Sequence, residues 1–271
     1  MTVISPVRTA RIAGSATAGF DLTPHWRERS RGRAGWEHAP ALTRELSGLF
    51  TATIARAVER AGGLADPAET EIAAATWYGT SHVAEMMHEQ LREAGPKWLD
   101  PEQFLFYSPH SLVSGAALAL GIGGAGSTLM GPDAEFQALT HAMRRIRTGR
   151  TAEVIVAEYE ALTPFAAVTC VDGPELPDGE TLPKGRATAL VLRPGGPAPS
   201  GREETAERAR AFGDVHRGVD AAEVERLARR HAAAVLHAAP GLLRTLAGAD
   251  GPALVVSRPG GDGRHDAVVV L

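Results

Sequence analysis

Cysteine is almost missing from this sequence of 271 residues, which has Cys170 alone. A single cysteine cannot form a disulfide within the chain, so a disulfide-stabilised secreted fold is excluded and a reducing cytoplasm is favoured. The sequence also lacks an apolar run of membrane-spanning length and a basic start followed by an apolar segment. We therefore expect neither a membrane partner nor a signal peptide.

An excess of positive charge is missing as well, since the formal net charge is −4. That balance argues against a nucleic-acid partner. No HExxH, CxxC or paired-histidine motif is present, so we expect no metal and no cofactor. Hydrophobic residues make up 44% and charged residues 22%, which is ordinary for a soluble globular protein. The abundance of Ala, Arg and Gly beside little Lys suggests a bacterial genome of high GC content.

A glycine-rich segment at residues 121–126 matches the spacing GxGxxG. A dinucleotide site needs a strand before these glycines and a helix that opens on them. Here the preceding residues 113–120 have a helical pattern, so nucleotide binding is not predicted.

Residues 104–160 contain the clearest pattern of the chain and predict a helix, a turn, a short strand, an amphipathic helix and a buried strand. Apolar residues recur there at steps of three and four, which gives the second helix one apolar face. They are Phe136, Leu139, Met143 and Ile146. The uninterrupted apolar run at residues 154–157 is typical of a strand covered on both faces. This alternation of strands and helices predicts an α/β protein.

Further elements are predicted on either side of this segment. Before it we expect an opening strand within residues 3–20, a helix at 40–61, a strand at 72–78 and a helix at 83–94. A run rich in Pro and Gly follows at residues 194–201 and indicates a boundary. Beyond it we expect a long helix at 221–236, a short helix at 242–246, and a hairpin of residues 253–257 and 267–271.

The order and spacing of these residues resemble the β-ketoacyl synthase family of the thiolase fold. The matching positions are Pro109-His110-Ser111, Ser114-Gly115, Leu120-Gly121-Ile122, Ser127-Thr128, Ala138-Leu139, Ala142, Ile146-Arg147, Gly149 and Glu160. Weaker matches are Gly79-Thr80, residues 184–192 and the tail from Gly260 to Val270. The resemblance implies a thiolase-like fold with one complete βαβαβαββ half at residues 1–195. An abbreviated second half would follow at 196–271, with a linker at about 194–204.

The family's nucleophilic cysteine falls at Pro132 in this alignment, and Gly131 or Asp133 takes its place if the alignment slips by one residue. A ketosynthase sets that cysteine at a helix N-terminus because the helix dipole favours the thiolate. Here we expect Gly131 as the N-cap and Pro132 as the first helical residue, with Asp133 and Glu135 placing carboxylates at the helix start. Cys170 lies far from this position, and the family's two catalytic-histidine motifs of the second half are missing.

The resemblance therefore implies a non-condensing ketosynthase homologue, comparable to a chain-length factor. Such a protein pairs with an active ketosynthase, works with an acyl carrier protein and shapes the acyl-chain pocket in type II polyketide or fatty-acid biosynthesis. The family forms dimers through the strand before the nucleophile helix, so residues 127–130 would lie at a homodimer or heterodimer interface.

Two other hypotheses stay open. The first is an enzyme with altered chemistry on acyl-carrier thioesters, such as a decarboxylase, hydrolase or acyltransferase, with Asp133, Glu135, Ser111 or Cys170 as candidate groups. The second is a scaffold without a small-molecule site.

Overall fold

The computed structural model describes residues 10–22, 39–99, 101–161, 184–195, 215–238, 241–250, 253–257 and 264–270. No helix among these residues is both long and apolar enough to cross a membrane. The predicted linker at about 194–204 lies, apart from its first two residues, outside the described residues. The division of the chain into two domains at that point stays a prediction.

The first part of the chain forms a five-stranded sheet in the order β1-β5-β4-β2-β3. Its strands are β1 (Ala10–Asp21), β2 (Glu71–Thr76), β3 (Gly126–Met130), β4 (Val154–Ala161) and β5 (Lys184–Pro194). Strand β2 runs parallel to β3 and β4, while β5 runs antiparallel to β1 and β4. The predicted buried strand at 154–157 is confirmed as the start of β4.

Five helices within the described ranges accompany this sheet. They are α1 (Ala39–Arg60), α2 (Ser81–Glu93), α3 (Pro101–Tyr107), α4 (His110–Leu120) and α5 (Ala134–Arg147), with a 3₁₀ turn at Pro96–Trp98. The four apolar residues predicted to share one face of α5 are all buried. Helix α4 ends where Gly121 adopts the left-handed conformation (φ 67°), which a residue without a side chain tolerates best.

The second part forms a four-stranded sheet in the order β6-β9-β8-β7. Its strands are β6 (Val215–Val219), β7 (Ala234–His237), β8 (Ala253–Val256) and β9 (His265–Val270), and its helices are α6 (Ala221–His231) and α7 (Leu242–Ala247). The predicted pairing of the two hairpin strands and the predicted short helix are confirmed.

The predicted helix at 221–236 is wrong in its last third. Helix α6 ends at His231 because Ala232 turns into the left-handed region (φ 48°). The following residues then pair with β8 as the parallel strand β7. Pairing with a neighbouring strand outweighs the high helix propensity of this alanine-rich run.

The two sheets have the same topology. The order β6-β9-β8-β7 repeats β1-β5-β4-β2, with the same parallel and antiparallel directions at each step. Strand β3 and the helices α2 to α4 that precede it have no counterpart among the described residues of the second half. The part of the chain that the structure describes thus has one βαβαβαββ unit and one shortened βαβαββ unit, which confirms the predicted fold class.

The elements stack in five layers. Helices α5 and α7 lie between the sheets, where Leu139 and Leu243 belong to the same apolar cluster as Val156 of β4 and Val255 of β8. Helices α1 and α4 cover the outer face of the first sheet, and α6 covers the outer face of the second. Alternate residues of β4 face the two sides, so every second side chain points into the middle layer.

The contact of β1 with α1 leaves no room for a side chain at Gly14. A Cβ atom there would lie 2.4 Å from the backbone oxygen of Ala57. We expect Gly14→Ala to lower the free energy of unfolding by about 1–3 kcal/mol, because backbone must move. Gly48→Ala is the matched control, since a Cβ at this exposed position of α1 meets nothing within 4 Å. It should leave stability unchanged or raise it by up to about 1 kcal/mol in denaturant titrations.

Candidate functional site

The carboxyl ends of the parallel strands β2 and β4 lie beside the start of α5, in the layer between the two sheets. Ligands of open α/β sheets bind at such strand ends. This region contains the predicted nucleophile position and three glutamates, Glu135, Glu158 and Glu160. It is the candidate functional site.

The turn before α5 differs from the prediction. Helix α5 begins at Ala134 with Asp133 at the N-cap position, so the predicted N-cap at Gly131 and first helical residue at Pro132 are wrong. The reason is that pairing with β2 continues past the end of β3: the Gly131 N–H donates to the Thr76 carbonyl over 3.1 Å. Gly131 then turns in the left-handed region (φ 110°), and the chain needs two more residues before the helix starts.

Pro132 lies exposed in this turn. It has no nucleophilic or ionisable atom, and the side chain of Asp133 makes no capping hydrogen bond to the helix. The assignment of Pro132 to the family's nucleophile position stays a prediction.

Glu135 bridges the starts of two helices. One of its carboxylate oxygens accepts a hydrogen bond from the Gly241 N–H and the other from the Leu243 N–H, both over 2.7 Å. These amides belong to the first turn of α7, where the helix itself provides no acceptors. The carboxyl group therefore provides acceptors for two amides that have none within α7.

Glu158 of β4 is buried, and its position on the strand directs its side chain into the layer that contains α5. Its Oε1 accepts a hydrogen bond from the Thr188 hydroxyl over 2.9 Å, and the Nε of Arg186 lies 3.8 Å away. Burial raises the pKa of Glu135 well above its ordinary value, and the charge of Glu158 raises it further. The amides of Leu243 and Gly241 oppose this rise only in part.

Glu160 lies two residues further along β4 and binds the turn after β2. It accepts hydrogen bonds from the backbone N–H of Trp77, from the Tyr78 N–H over 3.4 Å and from the Thr76 hydroxyl over 3.2 Å. Burial raises the pKa of Glu160 to about 7, while the Trp77 amide and Arg186 oppose the rise.

The raised pKa of Glu160 predicts a pH-dependent stability. The folded chain holds this proton more tightly than the unfolded chain, so the contribution is complete below about pH 4.5 and is lost as the pH rises to about 7. Relative to Glu160→Gln, the wild type should lose up to about 1.4 kcal/mol of unfolding free energy per pH unit in that window. Denaturant titrations at several pH values measure the difference. The exposed Glu59→Gln is the control and should follow the wild-type profile; identical profiles for all three chains would refute the assignment.

Of the other candidate groups, Ser111 lies near the start of α4, in the layer outside the first sheet. The sheet separates it from Glu135, so the structure does not bring these two candidates together. The neighbouring His110 places its Nδ1 3.1 Å from the Thr128 hydroxyl of β3 and so ties α4 to this edge strand. Cys170 lies outside the described residues.

Two histidines of the second half lie close together but away from the site. The rings of His237 and His265 have centroids 6.4 Å apart, and the His265 Nδ1 lies 2.8 Å from the Ser257 carbonyl. His237 is in register with Val256, whose side chain packs toward α6 rather than toward the middle layer. Within the described ranges, no three His, Cys, Asp or Glu side chains are grouped to hold a metal ion.

Exposed apolar side chains lie on the edge strand β3 and on the helices α3 and α4. Strand β3 pairs with β2 on one side and with no strand on the other among the described residues. Met130, at its end, is 51% exposed, and Leu118 on the adjoining α4 is 85% exposed. Phe104, Leu105 and Tyr107 of α3 are exposed as well. We call these five residues the β3 patch. An unpaired strand edge beside exposed large apolar side chains is typical of an interaction surface.

No protein-family model matches the sequence, and no curated protein matches it. Solved structures do. One chain of the ishigamide ketosynthase/chain length factor has a TM-score of 0.63 at 16% identity and aligns over 96% of this chain and 98% of its own length. A ketosynthase in complex with its chain length factor from Xenorhabdus doucetiae has a TM-score of 0.55 at 14% identity, over 96% of this chain and 98% of that chain.

A third similar structure is a type II PKS acyl-carrier protein in complex with its ketosynthase, with a TM-score of 0.52 at 18% identity. The match covers 74% of this chain, which spans only 59% of that one. Structural similarity at such low sequence identity establishes the fold alone. The chain has the thiolase-like fold of ketosynthases and chain length factors, and the resemblance predicted from residues 104–160 is confirmed at that level.

Proposed function

We propose that the chain is a non-condensing ketosynthase homologue that pairs with an active ketosynthase and shapes the pocket for its growing acyl chain. The observation that carries the proposal is the carboxylate of Glu135 between the starts of α5 and α7. A condensing enzyme needs a thiolate at such a helix start, where the dipole lowers the pKa of the thiol. Here the carboxyl group of Glu135 lies at the start of α5 and accepts hydrogen bonds from two amides of α7. Pro132, in the turn before α5, has no nucleophilic atom.

The exposed apolar residues of the β3 patch support the binding of a second subunit at this surface. A partner strand added to β3 would satisfy its open row of N–H and C=O groups and would cover Met130. Two of the similar structures are named as complexes of a ketosynthase with a chain length factor, and another contains an acyl-carrier protein. On this basis we assign the partner as an active ketosynthase and the donor of the acyl chain as an acyl carrier protein, in type II polyketide or fatty-acid biosynthesis.

The proposal predicts that an active ketosynthase is encoded near the gene of this chain, and co-expression of the two chains tests it. We expect the two chains to co-purify and to give a heterodimer in native mass spectrometry. The control is a ketosynthase from an unrelated pathway, which should not co-purify. Recovery of this chain alone or as a homodimer, beside a folded and active ketosynthase, would contradict the assigned partner.

The alternative is an enzyme with altered chemistry on acyl-carrier thioesters. The specific observation in its favour is that Glu135 has a raised pKa and can therefore hold a proton in the site. Against it, carboxylates beside the site oppose the negative charge that develops on a thioester oxygen. The purified chain alone should not turn over malonyl- or acyl-carrier thioesters. Turnover that changes on Asp133→Asn would favour the alternative.

A further inference from the structure

The turn at the end of β2, residues 76–80, lies between the candidate site and the β3 patch, and we call it the β2 turn. Glu160 holds this turn from the side of the site by accepting three hydrogen bonds. The donors are the Thr76 hydroxyl and the backbone N–H groups of Trp77 and Tyr78. The hydroxyl oxygen of Thr76 in turn accepts the N–H of Gly79 over 2.8 Å. A single carboxyl group thus fixes most of the β2 turn.

The other side of the β2 turn is bonded to two of the elements that carry the β3 patch. The N–H of Gly131, directly after β3, donates to the Thr76 carbonyl over 3.1 Å. The Thr80 hydroxyl donates to the carbonyl of Tyr107, the last residue of α3, over 2.8 Å. The positions of β3 and α3 relative to each other therefore depend on the conformation of this turn.

Gly79 brings the β2 turn into direct contact with the apolar side chains. Its backbone is left-handed (φ 60°), and a Cβ atom there would lie 3.0 Å from the Cε of Met130. The same Cβ would lie 2.9 Å from the Cγ of Pro109, which directly precedes α4. Met130 and the start of α4 thus pack against the backbone of the turn, so a shift of the turn displaces both.

We propose that Glu160 is a positioning residue for the partner surface: by fixing the β2 turn it holds β3, α3 and the start of α4 in the arrangement that the ketosynthase partner binds. The inference rests on the proposed function, which assigns the partner to the β3 patch. A surface that is held in its bound shape beforehand binds more tightly, because fewer groups must be ordered on association. Glu160 acts through the turn and does not itself contact the partner.

Hydrogen exchange of the full chain, read by mass spectrometry, tests the positioning without a partner. In Glu160→Ala the N–H groups of residues 76–80 and of Gly131 should exchange about tenfold faster or more, because the turn loses its acceptors. Glu160→Gln keeps one acceptor and should restore part of the protection. The matched control is Glu153→Gln, since Glu153 is buried at the opposite end of β4 and accepts the Thr70 hydroxyl there. It should leave these segments unchanged. Unchanged exchange in Glu160→Ala would overturn the proposal.

The affinity for the co-purifying ketosynthase, measured by calorimetry, gives the second readout. Glu160→Ala should weaken the association about tenfold, and so should Gly79→Ala, which keeps Glu160 but displaces Met130 and Pro109. Gly62→Ala is the matched control: Gly62 is also left-handed (φ 82°), but a Cβ there meets nothing within 4 Å. It should bind within about threefold of the wild type. Wild-type affinity in both test variants would overturn the positioning role. If no ketosynthase binds the wild-type chain, the proposed function fails, and the exchange result alone decides whether Glu160 positions the patch.

Discussion

Met130→Asp is expected to weaken the association of this chain with its ketosynthase partner by about a hundredfold. Met130 ends β3, which has no second strand partner among the described residues, and it is exposed in the isolated chain. In the proposed heterodimer it would be buried beside the partner's strand, where an aspartate would be a desolvated charge without a counter-ion. Losses of this size, about 2–4 kcal/mol, are typical at the centre of protein interfaces. Titration of the partner by isothermal calorimetry measures the change.

Val235→Asp is the matched control, because Val235 is an exposed apolar residue on β7, the edge strand of the second sheet. It should leave the affinity within about threefold of the wild type, as rim and non-interface positions do. Thermal unfolding of both variants alone establishes that they fold. An unchanged affinity for folded Met130→Asp would place the partner elsewhere on the molecule.

Glu135→Ala is expected to lower the free energy of unfolding by roughly 3–5 kcal/mol. The substitution leaves the N–H groups of Gly241 and Leu243 without acceptors, and a hydrogen bond to a charged group contributes about 1.5–3 kcal/mol. Glu135→Gln keeps an acceptor for one of the two amides but turns its NH2 group toward the other, so its cost should be about half as large, roughly 1.5–3 kcal/mol. Chemical denaturation at neutral pH measures both.

Gln137→Ala is the control for helix α5 itself, since Gln137 is exposed and lies in the same helix, two residues after Glu135. Its effect should stay within about 0.5 kcal/mol. If Glu135→Ala proved as stable as the wild type, Glu135 would not connect the two helix starts in solution, and the observation behind the proposed function would be lost.

The shortened second half limits the number of sheet edges at which this chain can bind a partner. The first sheet ends in β3, but the second sheet has no matching edge strand among the described residues. Among the described residues, the first half alone offers such an edge strand together with the helices α3 and α4 that precede it and expose apolar side chains. We expect one partner surface per chain, at the β3 patch.

The periodicity of the sequence was sufficient to predict the first half. Phe136, Leu139 and Ile146 mark one face of α5, and residues 154–157 mark a buried strand, because both elements bury apolar side chains at fixed spacing. The second half was harder to predict, since β6 and β7 are short and the run before Leu236 is rich in alanine. Their strand conformation depends on partners in β8 and β9, which local sequence does not encode.

The site was only partly predictable for the same reason. Glu135 was expected to be a carboxylate favoured by its own helix dipole, but its hydrogen-bond donors lie more than 100 residues away, at Gly241 and Leu243. Glu158 was missed altogether. The one local signal was its alternation with Glu160 at the end of an apolar strand, which puts both carboxyl groups on the same face.

Mass spectrometry of the intact heterodimer, after incubation with an acyl-carrier thioester, tests most directly whether this chain is non-condensing. Each chain is weighed separately after denaturation. We predict that the acyl group is found on the cysteine of the ketosynthase partner and that the mass of this chain is unchanged. An acyl adduct on this chain, at Cys170 or at any residue near α5, would contradict the account.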